Sequence, residues 1–215
     1  QAVKKIRDEG EDTNFLYTLV KGTIKMQKNL DFICSLFTEK KKYEATDLKI
    51  KVLLFLALYQ IRYCSSVPDH AAVNEMVELS KKLYDEKIAS FVNAVLREYL
   101  RTPEIKYPSD PAKRIAIEHS FPEYIIANWL AEFGEENTEY LCMYYNEVPR
   151  LHIRVNSTVT TTHKLKEYFR KRDIILEESP FSTKMLISKQ ASDILANVSF
   201  DEGYFSIQDT SSALI

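Results

Sequence analysis

The chain has 215 residues, 45% of them hydrophobic and 28% charged, with a formal net charge of −2. That length can bury one or two cores, and two domains is the natural expectation; the composition excludes a disordered chain. The charge balance lacks the basic excess with which proteins hold nucleic acid through phosphates, so RNA binding has to rest on local patches.

The N-terminal stretch Gln-Ala-Val-Lys-Lys-Ile-Arg-Asp-Glu is charged and has no apolar segment, which argues against a signal peptide. It also lacks an initiating Met, so Gln1 reads as the start of a piece. The longest apolar run, Val52 to Tyr59, is eight residues, and a membrane helix needs about 20. No membrane association is expected. Cys34, Cys64 and Cys142 are isolated and odd in number, which suggests a reducing compartment, the cytoplasm, and argues against a metal site. Asn156 and Asn197 sit in glycosylation sequons that would go unused there. The four glycines, Gly10, Gly22, Gly134 and Gly203, are too scattered for a phosphate-cradling or nucleotide loop, so no cofactor-binding residue is assigned.

In chain order, residues 12–101 read as helices. Phe15, Leu16, Leu19, Val20 and Ile24 recur at helical spacing, as do Leu30, Ile33, Leu36 and Phe37. Lys40, Lys41 and Lys42 fall in an expected loop, read as a solvated turn with RNA contact as the alternative. Leu48 to Tyr63 is apolar nearly all round, which predicts a central buried helix. Asp69 is placed to cap the next helix, with a stripe of Val73, Met76, Val77 and Leu83. The last helix buries Ile88, Phe91, Val92, Val95, Leu96 and Tyr99. Its Asn93, Arg97 and Arg101 lie four apart on the opposite face. These are candidate RNA contacts, although a solvated or domain-facing polar stripe is the favoured reading.

Pro103, Pro108 and Pro111 break the pattern. Asp110-Pro111 is a helix start, with a cap followed by proline at the first helical position. Pro122 opens another helix carrying Ile125, Ile126, Trp129 and Leu130, for which Gly134 is a fitting stop. Trp129, the one tryptophan, reads as a packing anchor in preference to a base-stacking platform.

From Leu151 the period changes to two. Leu151, Ile153 and Val155 alternate with His152, Arg154 and Asn156. A helix follows with Leu165, Tyr168 and Phe169, then strands at 174–178 and 184–188, a short helix around 190–197 and a strand at 204–208. The order β-α-β-β-α-β is that of a ferredoxin-like or RRM-like unit. The Lys/Arg-Gly-aromatic pattern of an RNA-reading RRM is absent, so the unit reads as an adaptor. The fold class is mainly α with a C-terminal α+β part: a helical domain at 1–101, a helical connector at 102–146 and the β-α-β-β-α-β unit at 147–215.

Several segments carry a resemblance. They are Leu19-Val20-Lys21-Gly22-Thr23, Leu58-Tyr59-Gln60-Ile61, Val67-Pro68, Ala71 to Glu78 and Phe91-Val92-Asn93-Ala94-Val95-Leu96-Arg97. Downstream come Phe121-Pro122-Glu123-Tyr124, Arg154-Val155-Asn156 and Gln208-Asp209-Thr210-Ser211-Ser212. In this order they resemble the RsmB (Sun/Fmu) family of S-adenosylmethionine-dependent enzymes that methylate cytosine C5 in 16S ribosomal RNA. The resemblance implies a NusB-like helical bundle, an adaptor, and a methyltransferase domain beginning near the Gln208-Asp209 motif, with the catalytic part outside the residues present. It implies 16S ribosomal RNA as a partner and S-adenosylmethionine as the cofactor of the full-length protein, with none bound by this piece.

That chemistry needs a thiolate that adds to cytosine C6, in a Pro-Cys pattern that none of the three cysteines has. No catalytic residue is therefore assigned, and the piece alone is expected to be inactive. Arg154, Asn156, Gln208 and Asp209 are candidates for the interface with the catalytic domain, or mere ties within the adaptor. The alternative function is a NusB-like, non-catalytic protein-interaction or antitermination module, with a protein partner for the helical domain.

Overall fold

The structure is a computed structural model that describes residues 13–213. The chain divides into two compact units, Gln1–Asn146 and Glu147–Ile215.

The described part of the first unit is helical: α1 (Thr13–Lys25), α2 (Gln27–Leu36), α3 (Lys40–Glu44), α4 (Leu48–Tyr63), α5 (Asp69–Leu83), α6 (Glu86–Arg101), α7 (Pro111–Glu118) and α8 (Glu123–Asn146). Helix α4 is central, packing against α1, α2, α5 and α6, because it is apolar on nearly every side. Its Leu54 and Leu58 meet Leu30 and Ile33 of α2 and Val92 and Leu96 of α6 in one core. Burying a leucine or isoleucine of this kind contributes about 1.5–3 kcal/mol. The Asp47 carboxylate accepts from the Lys49 amide and Asp85 from the Ile88 amide, fixing the starts of α4 and α6.

Three expectations need correction here. Lys40, Lys41 and Lys42 are helical, not looped, because the turn of α3 buries Tyr43 against the core. Asp69 does not cap α5. Pro68 holds that position without a side-chain bond and Asp69 is the first helical residue, where a carboxylate suits the helix dipole. Gly134 ends one helical segment as expected, with φ +75°, but a second begins at once and runs to Asn146. Its buried face, Thr138 and Cys142, recurs at helical spacing. Arg114 of α7 ties that segment down through Glu135 (2.7 Å) and Glu139.

Residues 102–146 belong to the same compact unit as the bundle. The fully buried Asn29 of α2 explains how: its backbone N–H donates to Ser120 Oγ (2.9 Å), its Nδ2 donates to Tyr107 Oη (2.9 Å), and its Oδ1 accepts from Tyr63 Oη (3.2 Å). Asp110 caps α7 through the Lys113 amide, with Pro111 in the first turn, as expected.

The second unit has β1 (Leu151–Val155), α9 (Thr162–Arg170), β2 (Glu177–Ser179), β3 (Ser182–Ser188), α10 (Ala191–Leu195), α11 (Val198–Asp201), β4 (Phe205–Ile207) and a 3₁₀ turn at Ser211–Ala213. The sheet order is β2-β3-β1-β4, with every neighbour antiparallel. That is the ferredoxin-like arrangement. Ile153, Val155, Leu186 and Phe205 share the face that packs on Leu165 and Phe169 of α9 and Ile194 of α10. The helix expected around 190–197 is two short ones, interrupted where the Asn197 side chain caps α11 through the Ser199 amide. The strand expected at 174–178 starts later, at Glu177.

Candidate nucleic-acid interface

Helix α6 turns its apolar stripe inward and leaves Arg97 and Arg101 exposed, with Asn93 half-buried. Arg97 Nε donates to Asn93 Oδ1 (2.9 Å), one turn earlier on the same face. Arg101 pairs with Glu98, which offsets its charge locally. The Lys42 ammonium sits 4.7 Å from the centre of the Phe91 ring, a cation–π contact that joins α3 to α6. Lys40 and Lys41 point to solvent from α3.

In the second unit, Arg154 Nη1 donates to Gln208 Oε1 (3.2 Å), and Gln208 Nε2 donates to the Ser212 carbonyl (3.3 Å). Asn156 does not share a strand face with Arg154, because β1 ends at Val155. Its amide instead donates to the Gly203 carbonyl (2.9 Å) and its Oδ1 accepts from the Thr158 amide and hydroxyl. Asp209 accepts from the Ser211 backbone N–H (2.8 Å) and its hydroxyl. Those two bonds hold its carboxyl below the usual carboxylate range. Beside them, His152 Nδ1 lies 2.7 Å from Thr210 Oγ1. The four predicted residues therefore split: Arg154 joins Gln208, while Asn156 and Asp209 close local turns.

Two features escaped the sequence reading. His163, Lys166 and Arg170 of α9, with Lys184 of β3, wall a hollow of about 760 Å³. Lys166 is held there by Glu178 at 2.7 Å, and this contact lowers the Glu178 carboxyl. The signal was the spacing of 163, 166 and 170 along one helix face. The other is a run of aromatic rings in the first unit. Trp129 lies between Phe121 (ring centres 5.6 Å apart) and Tyr145 (5.8 Å, planes at 21°), and Tyr144 meets Tyr145 edge-on.

No group of three or more metal-ligating side chains occurs among the described residues. No helix among them is long and apolar enough to cross a membrane.

Residues 2–101 match the NusB family, and residues 121–195 match the ferredoxin-like domain of RsmF/B-like methyltransferases. A probable ribosomal RNA small subunit methyltransferase B of Bacillus subtilis is 32% identical over 95% of this chain and 46% of that protein. The ribosomal RNA small subunit methyltransferase B of Pseudomonas syringae is 28% identical over 98% of this chain and 45% of its own length. The chain thus spans a little under half the length of these relatives. The transcription antitermination protein NusB of Bacillus cereus is 33% identical over 44% of this chain and 74% of that protein. The crystal structure of PH0851 superposes with a TM-score of 0.65 at 13% identity, covering 98% of this chain and 48% of that one.

Proposed function

Because the chain belongs to the NusB family through its first hundred residues and joins that domain to an RsmF/B-like ferredoxin-like domain, we propose that it is the RNA-docking N-terminal region of a methyltransferase. The reaction would be S-adenosylmethionine-dependent methylation of cytosine C5 in small-subunit ribosomal RNA, in the cytoplasm. The observation that carries this reading is that both domains align together with the methyltransferase relatives over nearly the whole chain. We divide it into a helical domain at 1–101, a connector at 102–146 and an adaptor at 147–215.

Within this reading the chain holds and orients RNA while the chemistry lies elsewhere. A nucleophilic thiolate needs a lowered pKa, whereas burial pushes the Cys34, Cys64 and Cys142 thiols up, Cys142 to about 11. We place S-adenosylmethionine binding outside the described residues as well. Gly22 lies inside a helix against Tyr59, Gly134 at a helix junction and Gly203 beyond α11, so none builds a cofactor loop. Asn93, Arg97, Arg101 and Lys40 to Lys42 supply phosphate contacts, with exposed Arg97 oriented by its bond to Asn93 and Arg101 partly offset by Glu98. Arg154 and Gln208 present one hydrogen-bonded pair toward the catalytic domain, and Asn156 and Asp209 shape the turns beside it.

The test is fluorescence anisotropy of labelled ribosomal RNA across a salt series. The expected outcome is binding whose log affinity falls linearly with log salt, by about 0.7 for each phosphate neutralised on a single strand. Added S-adenosylmethionine should yield no methyl transfer. No binding at low salt would overturn the docking role. The 33% identity to NusB over 96 residues favours one alternative, a non-catalytic protein-interaction or antitermination module. Recovery of a protein partner without RNA would support it.

A further inference from the structure

Resting on the RNA-docking reading, we propose that a trough in the first unit, from Lys25 and Lys28 to the Trp129–Tyr145 stack, holds one unpaired nucleotide of RNA. Its phosphate would lie at the lysines and its base against the aromatic rings.

Two hollows make the trough, and Lys25 and Ser120 line both. The first, of about 410 Å³, is polar and includes Lys25, Lys28 and Asp31 in its wall. The second, of about 470 Å³, is walled by Phe121, Trp129 and Tyr145, with Asn146 at its rim. Lys28 Nζ donates to the Phe121 carbonyl at 3.0 Å, which fixes the ammonium where the polar part meets the aromatic part. An ammonium has three N–H donors, so two remain for a phosphate. Asp31 stands in the same wall, and its carboxylate already accepts from Tyr43 Oη at 2.6 Å.

The aromatic end has the complementary chemistry. Tyr145 is 55% exposed and Tyr144 60%, so the Phe121–Trp129–Tyr145 array ends in an open ring surface. A nucleobase offers a flat π-face to such a surface, and base–aromatic stacking is a main source of affinity for single strands. Asn146 Nδ2 donates to the His119 carbonyl at 2.9 Å, which orients the amide and leaves its Oδ1 to accept from a base edge. Cations, a stacking surface and an amide in one trough are the elements that recognise single-stranded RNA. Trp129 packs against the small core of Ile115, Ala116, Ile126 and Cys142 and also lines the trough. It is both anchor and platform.

Trp129 is the sole tryptophan, so its emission reports on this trough alone. A single-stranded RNA of roughly 12 nucleotides is titrated into the protein while anisotropy of the labelled RNA is followed in parallel. We expect Trp129 quenching over the same concentrations as the anisotropy rise. Tyr145→Ala should weaken Kd by about fivefold or more, and Lys25→Gln with Lys28→Gln should flatten the salt dependence. If anisotropy rises while Trp129 emission is unmoved and Tyr145→Ala binds within about twofold of the parent, the trough is not the site and the docking reading stands. Equal quenching by heparin, a polyanion without bases, overturns the base contact. Absence of any anisotropy change at low salt removes the docking reading and the trough with it.

Discussion

Arg154, in the strand that opens the ferredoxin-like unit, donates from Nη1 to Oε1 of Gln208, just past the strand that closes it, across 3.2 Å. The two belong to separate sequence motifs 54 residues apart, yet the fold makes them partners. A hydrogen bond at an exposed position contributes about 0.5–1.5 kcal/mol, so this pair stabilises the unit modestly. Arg154→Ala should therefore lower unfolding free energy by no more than about 1 kcal/mol, read by urea denaturation. In a longer protein that includes the proposed catalytic domain, the same change should reduce methyl transfer well beyond what that stability loss explains. Unchanged activity and unchanged stability together would remove both roles.

Gly22 lies directly against the tip of the Tyr59 ring. A Cβ built there would collide with the tip of Tyr59, which itself packs on Tyr63 with ring centres 5.1 Å apart. Glycine within a helix costs about 1 kcal/mol relative to alanine, and here it is the residue that lets α1 approach α4. Gly22→Ala gains that propensity but overpacks the contact, an effect of about 1–3 kcal/mol. The net expectation is destabilisation, measured by thermal or denaturant unfolding. Tyr59→Leu in the same chain should recover part of it, and a double-mutant cycle would give the coupling. Additive effects of the two substitutions would exclude the steric account.

The three thiols should react in a set order. Burial raises all three, Cys142 to about 11, but Cys34 and Cys142 are buried whereas Cys64 is half-buried at the end of α4. At neutral pH Cys142 therefore carries much less thiolate than an ordinary cysteine, and its burial also shields it from reagent. Brief iodoacetamide labelling of the native protein, resolved by peptide mass spectrometry, should modify Cys64 first. Native Cys34 labelling as fast as Cys64 would contradict the buried core of α2.

What could be read without coordinates followed from periodicity. The limits of α4, Leu48 to Tyr63, were legible because its apolar pattern begins and ends there, and the β-α-β-β-α-β order was legible because period two and period 3.6 alternate cleanly. Lys40 to Lys42 misled, because three lysines look like a loop until Tyr43 is seen to be buried behind them. The segment after Gly134 was missed because glycine is a good stop, and nothing local says that another helix starts at once. Of the candidate site, the Arg154–Gln208 pairing and the Trp129–Tyr145 stack depend on long-range packing, which spacing along the chain does not encode.

His119 should make stability depend on pH with a definite sign. Burial at the C-terminal end of α7 lowers its pKa from the usual 6.5, against the opposing pull of Glu118 and Glu139, while Arg114 adds to the lowering. With the folded pKa below the unfolded one, the unfolded chain binds more protons between the two values, so stability rises with pH across that window. The contribution is complete above about pH 6.5 and is lost as pH falls toward the folded value. Urea unfolding between about pH 5 and about pH 7.5 should show this loss on acidification, and His119→Gln should reduce the slope while keeping the His119 backbone carbonyl that accepts from Asn146. An unchanged slope in His119→Gln would mean that other groups carry the acid sensitivity of the fold.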